Sequence, residues 1–175
     1  FAFIAGDAWK VLQPHQSHDV GEVNGEALSA QDYQNLVEEY TEVVKFSRGT
    51  SALTDEENNQ IKDEVWRNYV NNKLIENEAK KLGISVSKAE IQAIIDAGVH
   101  PMLQQTPFRN PQTGAFDKDM LKKFLVDYSK MNTAQMPAQY AEYYQSMYKF
   151  WSFLEKQLIQ NRLAEKYQAL VSKSL

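Results

Sequence analysis

Cysteine is absent from this 175-residue chain, which excludes disulfides, thiol nucleophiles and thiolate metal sites. No basic patch is present either. Lysine and arginine are scattered among a slight excess of acids, for a net charge of −4. Binding to nucleic acid by counterion release therefore has no footprint. There is no long apolar run. The opening Phe1-Ala-Phe-Ile-Ala-Gly6 is far short of the roughly twenty apolar residues that cross a bilayer. Gly-rich phosphate loops, Gly-x-Ser-x-Gly elbows, His-Glu-x-x-His motifs and the Glu-x-x-His pairs of di-metal bundles are all missing. No cofactor is implied. His15-x-x-His18 has metal-compatible spacing but stands in a stretch, Gln13 to Asp19, that reads as a flexible linker. His100 precedes a proline at the start of a loop, where a structural or solvated role is expected.

What the chain has is helix signals. Hydrophobic residues make up 43% and charged residues 24%, ordinary for a globular domain with a real core. Val20 to Val23 reads as one short strand, ending at Asn24-Gly25, a dipeptide suited to a tight turn. Ser29 is placed to N-cap a helix running to about Arg48, with Tyr33, Leu36, Val37, Tyr40, Val43 and Val44 at helical spacing. Gly49-Thr-Ser breaks it. Thr54 and Glu57 form a capping box that opens a helix ending near Leu82, its inward side carrying Ile61, Val65, Tyr69, Ile75, Ala79 and Leu82. Asp55-Glu56-Glu57 complement the dipole of that first turn. Gly83 stops the helix, and Ser87 with Glu90 opens the next, to about Ala97.

An irregular loop is expected from His100 to Gly114, then a helix from about Asp117 to Tyr128 burying Met120, Leu121, Phe124 and Leu125. A last helix opens near Pro137 and reaches about Val171. In its first part Tyr140, Tyr144, Met147, Trp151, Leu154 and Leu158 share one stripe, flanked by Tyr143, Tyr148 and Phe150; from Ile159 on, Leu163, Tyr167 and Leu170 face nearly the opposite way. Such a helix packs against two different bodies. The first half is expected on helices two to four, the second on the first helix and the strand. The fold class is thus all-α: an irregular bundle of about five helices, with a long C-terminal helix and one short N-terminal strand.

Three ordered pieces carry a family resemblance. They are the strand-Asn24-Gly25-helix from Val20 to Val37, the stretch Leu82-Gly-Ile-Ser-Val-Ser87 between two helices, and Gly114-Ala-Phe-Asp117 leading into another. In that order they resemble the N-terminal chaperone domain of the SurA/PpiD family of bacterial periplasmic folding factors, over Val20 to Leu175. The resemblance implies an ATP-independent, non-catalytic domain that holds unfolded or outer-membrane polypeptides. It also implies a parent that is a parvulin-type peptidyl-prolyl isomerase, periplasmic and anchored in the inner membrane. The parvulin domain itself has several strands and an active-site His, which this chain does not supply, so no enzymatic activity is expected here. Residues 1–19 are expected to be a membrane-anchor remnant or linker arm, with Trp9 and Lys10 at the interface, and residues 20–175 the helical domain. The rival reading is a structural or dimerisation module that orients an attached isomerase domain.

Function is sought in the aromatic and methionine side chains, which suit promiscuous apolar contact. Most are expected in the core. Phe153, Phe108, Met102 and Met136, with Tyr143 and Phe150 beside them, are the candidate peptide-binding set. The short strand leaves unpaired backbone groups, so a homodimer or arm exchange through it is a further expectation.

Overall fold

A computed structural model describes residues 19–23 and 26–174. The anchor or linker expected over 1–19 lies outside them except for Asp19, as do His15 and His18. The order is β1 (Asp19–Val23), β2 (Glu26–Ser29), α1 (Ala30–Arg48), α2 (Asp55–Lys81), α3 (Lys88–Ala97), α4 (Lys118–Lys130) and α5 (Ala138–Lys173), with short 3₁₀ helices at Pro101–Gln105 and Thr133–Gln135. The fold is the expected all-α one. None of the described helices is long and apolar enough to cross a membrane.

The helix starts are where the capping residues put them. Ser29 accepts a hydrogen bond from the Asp32 amide. Both capping boxes are closed, Thr54 with Glu57 and Ser87 with Glu90. At the end of α2, Gly83 has φ 70°, a left-handed conformation that costs a side-chain-bearing residue energy. There the Ile84 amide donates to the Ala79 carbonyl at 2.8 Å and the Gly83 amide to the Lys80 carbonyl at 3.2 Å. These two bonds are the paired closure of a Schellman end, and they satisfy carbonyls the helix leaves open.

One element exceeds the expectation. The strand has a partner: β1 pairs antiparallel with β2, Gly21 opposite Leu28 and Val23 opposite Glu26, with an irregularity between Asp19 and Gly21. The pairing is in cis, across a two-residue connection at Asn24-Gly25 that lies outside the described residues. Glu26-Ala-Leu-Ser29 is too short and polar to announce a strand. The hairpin does not stand alone, which such a hairpin tolerates poorly in water. It packs against α1 and α2, and Leu28 is buried.

The chain divides into two compact units: residues up to Ser85 together with those from Gln160 on, and Val86–Ile159. α5 therefore changes unit at Ile159/Gln160, near the point where its apolar stripe turns. α2, expected with the first half of α5, instead belongs with the second half. Within the first unit the Gln160 side-chain amide donates to Glu76 at 2.8 Å and the Lys166 ammonium to the Ser85 carbonyl at 2.6 Å. Val37, Tyr40, Val43 and Val44 of α1 and Ile61, Val65, Ile75 and Ala79 of α2 are buried. Leu82 is not. It stands beyond the last turn of α2, half exposed, because the Schellman end turns the chain away there.

Among the described residues of that unit Tyr40 is the most buried ring, at 1% exposure. Its hydroxyl donates to Glu64 at 2.9 Å. Burial first, then the bond and charge of Glu64, push its pKa well above the ordinary tyrosine value of 10.0. An acid whose folded pKa is raised stabilises the fold fully below the unfolded pKa and ceases to do so as pH rises past it. Stability should thus be unaffected by this group near neutrality and decline above about pH 10. In Tyr40→Phe that alkaline decline should shrink, at a neutral-pH cost of about 0.5–1.5 kcal/mol for the lost bond. Denaturant melts at pH 7 and above pH 10 check this, and an undiminished alkaline decline in the variant would refute it.

Candidate functional site: an aromatic ladder and a cleft

The second unit is built around the segment that the sequence presents as an irregular loop. It is not loose. Gly98 caps α3, and His100 caps the 3₁₀ helix that follows, its Nδ1 accepting the Met102 amide at 3.1 Å. Gln104 then ties three backbone groups together. Its side-chain nitrogen donates to the Gly98 carbonyl at 2.9 Å and the His100 carbonyl at 3.4 Å, while its oxygen accepts the Phe116 amide at 3.0 Å. Arg109 and Phe116 form an isolated antiparallel bridge, and the Asn110 side chain accepts the Gln112 and Thr113 amides between them. With its polar backbone satisfied in this way, the segment can be buried at little cost. Met102, Leu103, Phe108 and Phe116 accordingly point inward.

Four candidates of the peptide-binding set are buried instead, two of them for this reason. Phe108 and Met102 are core residues of this folded loop. Phe150 and Phe153 are buried on α5, Phe153 at 4% exposure. On the helical wheel Phe153 stands with Gln160 and Tyr167, seven residues apart each time, so it begins the later stripe while the earlier one is still running. The two stripes overlap between Phe153 and Leu158, and reading them as successive halves is what makes Phe153 look exposed. Met136 is half-buried after the second 3₁₀ helix. Tyr143 is exposed, at 51%. Met120, expected inside, is on the surface as well.

What the structure does bring together is a ladder of rings. Trp151 meets Phe108 edge to face with centroids 6.4 Å apart, Phe108 meets Phe124 at 5.4 Å, Phe124 meets Tyr128 at 5.8 Å, and Tyr128 stacks on Tyr148 at 4.5 Å. It runs from buried rings to an exposed one, Tyr148. Each such contact adds a modest term to the area buried. Beside its outer end, Tyr143 and Tyr144 meet edge to face at 5.7 Å, and Tyr140 is exposed in the first turn of α5. Tyr140 lies on the early apolar stripe, but the helix opens at Pro137, where its amide donates to the Pro137 carbonyl at 3.0 Å. At the end of a helix the stripe outruns the body it packs on, which is the signal that the wheel alone does not give.

Next to the inner end of the ladder lies a half-open cleft of about 510 Å³. Ile95 of α3, Leu121 and Leu125 of α4 and Trp151 of α5 line its apolar part. Lys118, Lys122 and Asp119 of α4, Asp96 of α3 and Glu155 of α5 supply its charges. Lys123, one residue along, is engaged elsewhere: Asp127 at 2.7 Å accepts from its ammonium and raises its pKa. Among the described residues no group of three or more His, Asp or Glu side chains is placed to hold a metal ion.

Within the unit Val86–Ile159 a folded loop is buried among the helices and tyrosines stand on the surface. A profile of the SurA-like N-terminal domain matches residues 1–125, and the chain belongs to that family. The match takes in the hairpin, α1 to α3 and the folded loop, and ends within α4, before α5 begins. Neither the curated proteins nor the solved structures hold a match to the chain.

Proposed function

We propose that this chain is a non-catalytic, ATP-independent chaperone domain that holds unfolded extracytoplasmic polypeptides, outer-membrane proteins among them, through weak apolar contacts. Family membership supports the coarser part. The SurA-like N-terminal domain is a non-catalytic, chaperone-like module of periplasmic folding factors with isomerase domains. In this reading the parent is a parvulin-type isomerase.

The observation that carries the finer part is where the apolar surface lies. Ten large apolar side chains are exposed among the described residues, and seven of them (Val99, Met120, Val126, Tyr140, Tyr143, Tyr148 and Ile159) fall in the unit Val86–Ile159. A module that only spaced or oriented other domains would gain nothing from tyrosines left in water. Tyrosine contributes large contact area with few rotatable bonds and tolerates both water and apolar partners, which suits changing clients.

The test is suppression of aggregation of an urea-unfolded membrane β-barrel diluted into buffer without ATP. The domain should keep the barrel soluble at a few-fold molar excess. A Tyr140→Ser, Tyr143→Ser, Tyr148→Ser triple variant should lose most of that effect while the outer turn of α5 remains folded by circular dichroism. An intact domain that leaves aggregation unchanged would favour the scaffold reading instead.

A further inference from the structure

The cleft between α3, α4 and α5 has a feature that a packing defect would not need. Its charges differ by wall. α4 carries Lys118 and Lys122 with Asp119 beside them, whereas α3 and α5 carry only acids, Asp96 and Glu155. Among the described residues Lys118, Lys122, Asp119 and Glu155 form no ion pair or side-chain hydrogen bond with one another or with any neighbour, in contrast to Lys123 with its Asp127. Asp96 accepts only from Gln92 of its own helix. Between these walls the floor is apolar, and its volume falls within the range of sites that enclose small ligands or side chains.

We propose that the cleft seats one large apolar side chain of an extended client segment whose flanking residues carry opposite charges. The acidic flank meets Lys118 and Lys122, and the basic flank meets Asp96 and Glu155. This deepens the chaperone reading and rests on it. The floor supplies the attraction through apolar burial. The rim supplies the choice among segments, because complementary charges select partners and orientation more than they add affinity. A segment with two like-charged flanks would meet repulsion on one wall. A segment with neutral flanks would leave both walls without a partner.

The absence of cysteine from the chain allows a direct test. Val126, at the edge of the cleft and 45% exposed, is replaced by cysteine and coupled to a bulky maleimide. Leu82→Cys, exposed in the other unit, is coupled in the same way as a control. The probes are fluorescent decapeptides of Gly and Ser carrying a central Phe-Leu, one flanked by Glu and Lys and one by Ser on both sides, read by anisotropy. The charged-flank peptide should bind about threefold to tenfold more tightly at low salt, with the advantage fading at high salt. The Lys118→Glu, Lys122→Glu variant should lose that advantage. Coupling at position 126 should weaken binding of both peptides at least about tenfold, and coupling at position 82 should not. Unchanged binding after coupling at 126, in a protein that still suppresses aggregation, overturns the cleft and leaves the chaperone reading standing. Equal affinity for the two peptides overturns the charge selection. A protein that neither binds the peptides nor suppresses aggregation overturns both.

Discussion

Phe153→Ala should cost about 3–5 kcal/mol of stability, as much as Trp151→Ala. Both rings are almost fully buried, at 4% and 3% exposure, and both leave a cavity that the surrounding side chains fill only in part. They differ in position on α5. Trp151 stands on the early stripe with Met147, Leu154 and Leu158, touches Phe108 and lines the cleft. Phe153 stands about 160° away, at 100° per residue. A surface residue would give a different result: loss of client binding with less than about 1 kcal/mol of destabilisation. Urea melts of the two variants, each analysed for midpoint and slope, decide it. A near-wild-type midpoint for Phe153→Ala would return this residue to the surface and to the binding set. If Phe153 is core, any loss of client binding in the variant should track the fraction unfolded and disappear under stabilising conditions.

Gln104→Ala should be nearly as damaging, at about 2–4 kcal/mol, although no apolar contact is the target. Its side chain links the end of α3 to the start of the bridge at Phe116: it donates to the Gly98 and His100 carbonyls and accepts the Phe116 amide. Removing it takes this partner from the Gly98 carbonyl and the Phe116 amide, while the His100 carbonyl keeps the Leu103 amide at 3.0 Å, in a segment whose neighbours Leu103, Thr106 and Phe108 are buried. Gln104→Glu separates the two halves of this role. A carboxylate can still accept from Phe116 but faces the two carbonyls without a proton to donate, so the variant should be strongly destabilised at pH 7. Below about pH 4 the protonated acid regains one donor, and the gap between Gln104→Glu and wild type should narrow. A gap that stays constant with pH would show that the two donated bonds contribute little.

Much of the fold is legible in the order of residues because the signals are local. Ser29, Thr54, Ser87 and Asp117 each accept an amide of the turn that follows, and Gly83 stops α2 where its backbone conformation requires a residue without a side chain. These bonds span three to five residues, so five helices and their ends can be read without knowing what they pack against. The motifs in the same stretches carry the likeness to the SurA-like N-terminal domain, which the family match over residues 1–125 bears out.

The candidate site is legible only in part. Tyr143 is exposed, but Phe108, Met102, Phe150 and Phe153 are core, and Tyr140, Tyr148 and the cleft come from the structure. The reason is that burial depends on partners distant in sequence. Pro, Gln, Thr and Asn between His100 and Gly114 describe a loop correctly, yet Gln104 reaches twelve residues ahead to Phe116 and makes that loop a core. On α5 the periodicity gives two stripes, but where one ends depends on which unit each turn joins, and that change falls at Ile159/Gln160. Composition and spacing alone determined the helices and their caps. Tertiary structure decided which aromatic rings meet water, because that is set by contacts between elements and not by any residue's own preference.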